Sequence, residues 1–223
     1  MVKPWQINTL EFIGNYFGHP LFMPLYAYGF YCLAPHNNQS LQGNWMDFTL
    51  IFLMLVVFPL MVYPILRKAK KVQSIHLKNI RERLWPLGIN FVLRLSVIYY
   101  FTTASPQFQT DEGHNTLSLV VFFLGGAISI LTALIMAILS HKSSLHMMGI
   151  SGLMVHLILT DLNDSTLLTE AHLLFAASGL VAVFWVGIVR YKAKAHNIVE
   201  LVTGFAVGGL SQVLALSLSQ NLL

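Results

Sequence analysis

His196 and Glu200 stand four residues apart between two long apolar runs, FAASGLVAVFWVGIV and LVTGFAVGGLSQVLALSL. At the start of a helix this spacing puts both side chains on one face. The carboxylate can then accept from one imidazole nitrogen and leave the other free as a nucleophile. Arg190, one turn earlier in the chain, offers a planar fork of donors suited to phosphate oxygens. A second loop, HKSSLHMMG, brings Lys142, Ser144 and His146: a cation, a hydroxyl donor and a ring that can give a proton to a departing alkoxide. A third supplies Lys78, Arg81 and Arg83 ahead of Pro86, which opens a helix at LWPLGINF. Together the loops make a cage for an oxyanion, with no carboxylate-rich metal site and no cofactor. Against this stands a plainer reading, in which the cations snorkel to the membrane surface and His196 only caps a helix.

The elements that must position these groups are hydrocarbon-soluble. Of the 223 residues, 56% are hydrophobic and only 10% charged, and the mean hydropathy is +0.66, so the chain reads as an integral membrane protein. Its apolar runs approach the roughly 20 residues a spanning helix needs, whereas a barrel would show many short alternating strands. The expected fold class is all-α, a polytopic transmembrane helical bundle of about six to seven spans. These are placed at 19–34, 47–66, 87–104, 117–139, 147–160, 168–189 and 197–220. Residues 1–18 read as an interfacial segment bearing Trp5, Phe12, Tyr16 and Phe17. Glu11 and the lack of a small-residue cleavage site argue against a removed signal peptide. No linker or internal repeat divides the chain, so 1–223 is expected to form a single domain.

Charge sorts the loops. Residues 67–83, 141–146 and 190–196 are basic, while 106–115 and 160–170 are acidic. Two spans separate each basic loop from the next, which puts all three on one face, and the excess of Lys and Arg makes that face cytoplasmic. A bacterial inner membrane is the expected location. The net charge of +4 therefore speaks of topology and not of nucleic acid. The lone Cys32 offers neither an internal disulfide nor a metal-ligand spacing.

Taken in order, the three loops resemble the type 2 phosphatidic acid phosphatase superfamily over about residues 75–210. Arg190, five residues, His196, three residues and Glu200 are similar to its third signature, which ends in aspartate. Ser144-Leu145-His146 resembles the second, and KNIRERLWP a divergent first. The chain has Ser143 and Leu145 where that family has proline and glycine, and Val189 where it has serine. The resemblance implies a metal-independent helical-bundle phosphatase: His196 attacks phosphorus, Glu200 orients it, His146 protonates the leaving oxygen, and Lys78, Arg83, Ser144 and Arg190 hold the phosphate. The role of Arg81 stays open, and Lys142 belongs to the same basic cage.

The implied partner is a membrane lipid with a phosphate or pyrophosphate head. Two other functions fit the composition: a membrane haem bundle using His141, His146, His156 and His196, and a non-catalytic relative that binds or moves lipid phosphates. Arg94, inside a predicted span, reads either as a secondary phosphate site or as one half of a structural pair. His156 reads as a packed, hydrogen-bonded histidine. Gly204 and Gly208, in GFAVG, allow close helix contact, either within the bundle or in a homodimer.

Overall fold

The computed structural model describes residues 14, 16–33, 45–73, 79–104, 113–163 and 170–220, and among these every regular element is helical. Helix α1 covers Met23–Leu33, α2 Trp45–Phe52 and α3 Phe58–Lys68, the last two joined by a π-turn at Leu53–Val57. A 3₁₀ turn, Ile80–Arg83, leads into α4, Leu84–Thr103. Then follow α5 (Gly113–Ile138), α6 (Leu145–Asn163), α7 (Glu170–Lys192) and α8 (Ile198–Gln220).

The π-turn has a local cause. Pro59 has no N–H and its ring crowds the carbonyl four residues back, Leu55, so the backbone there widens. The Phe58 amide accordingly reaches the Leu53 carbonyl, and α2 and α3 run on as one rod. Pro86, in the first turn of α4, displaces no interior hydrogen bond.

Among the described residues four helical stretches are long and apolar enough to cross a bilayer: Trp45–Lys68, Ile80–Thr103, Leu117–Ile138 and Ile198–Gln220. The count expected from sequence is larger. The described part of helix α1 has 11 residues, about 16 Å at 1.5 Å per residue, against about 30 Å of hydrocarbon. In α6 the apolar stretch among the described residues covers Leu145–Leu159. The outward faces are greasy throughout: Val199 is 73% exposed, Phe184 70% and Leu210 67%. Such faces suit a lipid solvent, where helices gain little by hiding Val or Leu and associate instead through close packing.

That packing is visible between α6 and α8. A Cβ at Gly204 would stand 2.5 Å from the Ser144 carbonyl, and one at Gly208 would overlap the Met148 carbonyl. The two glycines of GFAVG therefore serve a contact inside the chain. Beside them, Met23, Ile51, Leu55, Val97, Phe101, Phe122 and Phe123 fill the core. His156 is buried in it, with Nε2 3.4 Å from Ser118 Oγ and its ring 5.1 Å from that of Phe122. Gly14 and Gly18 bring the N-terminal segment onto α7, where added Cβ atoms would press on Val189 and Val186.

A candidate phosphoryl-transfer site at the basic end of the bundle

The three basic loops begin alike. Lys70, Ser140 and Lys194 each adopt a positive φ, of 57°, 61° and 51°, and each follows the end of a helix. Left-handed residues there turn the chain so that amides beyond the helix return to its last carbonyls: Lys71 to Leu66, His141 to Met136 and Ala195 to Arg190. The helices thus stop sharply, and the cationic side chains collect at one end.

The last loop is closed by Asn197. Its Oδ1 accepts from the Glu200 amide at 2.8 Å, which makes it the N-cap of α8 with Glu200 in the third helical position. Glu200 is then fixed beside His196, whose Nδ1 lies 2.6 Å from Glu200 Oε2. With neutral imidazole and ionised carboxylate, Nδ1–H donates and Nε2 keeps its lone pair. Burial pushes the His196 pKa below the usual 6.5. Hydrogen bonding to Glu200 pulls it up, and Lys142 and Arg190 push it further down. The direction that survives is downward, so the ring is neutral at pH 7. A neutral ring is the form able to attack.

The other two loops are tied to this one. Lys142 Nζ donates to the Ala195 carbonyl at 2.9 Å and sits 3.6 Å from Glu200 Oε2. The Ser144 amide donates to the Glu200 carbonyl at 3.0 Å. Arg83 is buried and donates from Nη1 to the Ser143 carbonyl at 3.0 Å, while its Nε has no partner among the described residues. Arg83 also lies close enough to add to the burial that lowers Arg190. His146 meets His19 edge to face, ring centroids 5.1 Å apart. Burial first, and then the charge of Arg190, push His19 to about 4. Arg190 is therefore within electrostatic reach of both His19 and His196, and the two histidine-bearing loops share one end of the molecule.

Several expected residues take different stations. Ser144 is fully buried, and its Oγ accepts from the Met147 amide at 3.4 Å, so it caps α6 instead of facing a ligand. Its own amide is already bonded to Glu200. Lys142 braces the last loop through Ala195 and Glu200, a structural duty that the sequence did not reveal. Of the first loop's cations, Arg83 turns inward and Arg81 is exposed, because the 3₁₀ turn capped by Asn79 rotates them apart. Lys78 lies outside the described residues. Arg94 is buried three helical turns along α4 from Arg83, about 16 Å away at 1.5 Å per residue, so it is not part of this cluster.

His19 and Asn197 were not anticipated. For Asn197 the signal was present: Asn-x-x-Glu opening an apolar run is a capping pattern. For His19 it was the small-x-x-x-small pair Gly14 and Gly18, which docks the segment on α7 and carries the ring to His146. A groove of about 300 Å³ opens directly beneath, between the N-terminal segment, α1, α6 and α7. Phe17, Tyr26, Leu153, Met154, Trp185 and Val186 are among its walls, and Val186 is one turn from Arg190. Its lining is almost wholly apolar. Among the described residues no three His, Cys, Asp or Glu side chains converge as a metal site would need.

No family model, no curated protein and no solved structure matches the chain.

Proposed function

We propose that the protein is a membrane phosphatase that hydrolyses a lipid phosphate or isoprenoid pyrophosphate through a phosphohistidine, without a metal. The observation that carries this reading is the 2.6 Å contact between His196 Nδ1 and Glu200 Oε2, set among Arg83, Lys142 and Arg190. A carboxylate held this way fixes the tautomer, supports the positive charge that grows on the ring, and leaves Nε2 as nucleophile. The likeness of the three loops to the type 2 phosphatidic acid phosphatase signatures agrees with it.

In the first step His196 Nε2 forms a bond to phosphorus as the bond to the leaving oxygen breaks. His146 gives that oxygen its proton. Arg83 and Arg190 take up the charge on the non-bridging oxygens, where preorganised donors in a water-poor site count most. In the second step a water oxygen attacks phosphorus, His146 takes the water's proton, the P–N bond breaks and inorganic phosphate leaves. The lipid's tails lie in the apolar groove below Arg190. Its head has to part the loops to reach His196, whose side chain is only 4% exposed, so turnover includes an opening step. With Lys and Arg gathered at one end, the site faces the cytoplasm of a bacterial cell.

The test is release of inorganic phosphate from a panel of purified lipid phosphates and pyrophosphates in detergent, with EDTA present. Turnover of at least one lipid that survives EDTA is the expected result. Absence of release from every lipid would leave a protein that only binds such heads, and loss of activity restored by magnesium would remove the metal-free mechanism.

A further inference from the structure

Away from the basic end, the middle of the bundle holds a second polar place. Arg94 on α4 is 8% exposed, and among the described residues its Nε and Nη1 have no hydrogen-bond partner and no acidic side chain pairs with it. Gln212 on α8 is 2% exposed. Its Nε2 donates to the Phe122 carbonyl at 3.3 Å, and its Oε1 has no partner there. Both side chains lie against a glycine pair on α5. A Cβ at Gly126 would overlap the Arg94 guanidinium, and one at Gly125 would stand 2.5 Å from the Gln212 amide. Two flanking helices thus lay long polar side chains against neighbouring positions of α5, in space left by the missing side chains of Gly125 and Gly126.

An arginine keeps its proton in any protein setting, so burial cannot neutralise it. A lone cation in hydrocarbon is costly until an opposite charge meets it, and the donors that would meet one are unused. We propose that this slot is an intramembrane binding site for a singly charged anion. One guanidinium balances one negative charge, and the unpaired Gln212 oxygen repels a second, which disfavours a phosphate dianion. Chloride and the carboxylate head of a fatty acid share the required chemistry, the first arriving from water and the second from the bilayer. The site is separate from the His196 cluster, so it stands or falls independently of the phosphatase reading.

Full-length protein is purified in detergent with gluconate as the bulk anion, and its unfolding temperature is followed as chloride, decanoate or phosphate replaces gluconate at constant ionic strength. Binding only to the folded state raises that temperature in proportion to the logarithm of ligand concentration, by roughly 5 °C at a hundredfold excess over Kd. The expected result is such a rise with chloride or with decanoate, little with phosphate, and none in Arg94→Gln. The active ligand names the source. Should Arg94→Gln fail to fold, Gln212→Leu provides the second reading, with the midpoint of the effect moved to higher concentration. Bound chloride is also counted directly by ion chromatography after desalting, at about one per chain if chloride is the occupant. No rise with either monoanion, or an equal rise in wild type and Arg94→Gln, overturns the proposal.

Discussion

Two of the places where the bundle buries charge handle it in opposite ways. At the basic end Glu200 bonds to His196, Asn197 and the field of Lys142, and Lys142 bonds to a carbonyl as well. In the middle Arg94 has a glycine beneath it and two bare nitrogens. The first region lies where helices end, and helix ends supply free amides, carbonyls and caps that can position a charge. The second lies along continuous helices whose backbone groups are already taken. Polar side chains can be preorganised near the surface by the fold itself, whereas at mid-membrane they must find partners among other side chains or among ligands. The difference fits the proposals made for them, a reaction at the first and the holding of an anion at the second.

Substitutions at the two regions should separate these roles. The largest effect is expected from His196→Ala, which should lower phosphate release by at least about 10³-fold while leaving the unfolding temperature near wild type, because it removes the proposed nucleophile. Glu200→Gln should cost about 10²- to 10³-fold in kcat through the lost tautomer control. Its circular dichroism should stay native, since glutamine can keep the N-terminal turn of α8. At mid-membrane Gly126→Ala should leave His196 chemistry in place and destabilise the fold by about 1–3 kcal/mol, the usual cost of overfilling a packed interior. A fall in kcat for Gly126→Ala as large as that for His196→Ala would erase the distinction between the regions.

The acid side offers a finer comparison. The folded His196 binds its proton less tightly than an unfolded histidine near 6.5, since burial outweighs Glu200. Its contribution to stability is complete above about 6.5 and is lost as pH falls below that value. The acid limb of kcat/KM should likewise lie below 6.5, and a limb above 7 would contradict a buried neutral nucleophile. Smallest of all, Ser140→Gly should stabilise the protein by about 0.5–1 kcal/mol, because glycine adopts the left-handed turn at no steric cost. A thermal melt checks it, and no gain would mean the Ser140 side chain holds the loop by a contact of its own.

The sequence made some of this legible and hid the rest for identifiable reasons. A spacing of four between His196 and Glu200 forces proximity once a helix starts at Asn197, so the central contact could be read before any coordinates. Gly204 and Gly208 told of close helix contact, and the structure supplies its partner, α6. Arg81 and Arg83 could not be told apart, because which one turns inward depends on a 3₁₀ turn that carries no hydrophobic period. Ser144 looked like a phosphate ligand because a helix N-terminus is where hydroxyls serve either a ligand or the helix's own amides, and here the helix takes it. Of the six to seven spans expected, four are long and apolar enough among the described residues, and the expected spans 19–34, 147–160 and 168–189 run up to or across segments that lie outside them. His19 was missed because it fell on the boundary between the interfacial segment 1–18 and the span 19–34, although two glycines four apart just before it signalled docking against another helix.

A phosphatase working through His196 must pass through a bond between phosphorus and an imidazole nitrogen. Wild-type protein incubated with a lipid carrying labelled phosphate, then quenched in alkali, should retain label that survives base, is released by mild acid and maps to the peptide containing His196. His196→Ala should retain none. A wild-type enzyme that turns over without ever carrying acid-labile label, or a His196→Ala variant that still releases phosphate, would contradict the account.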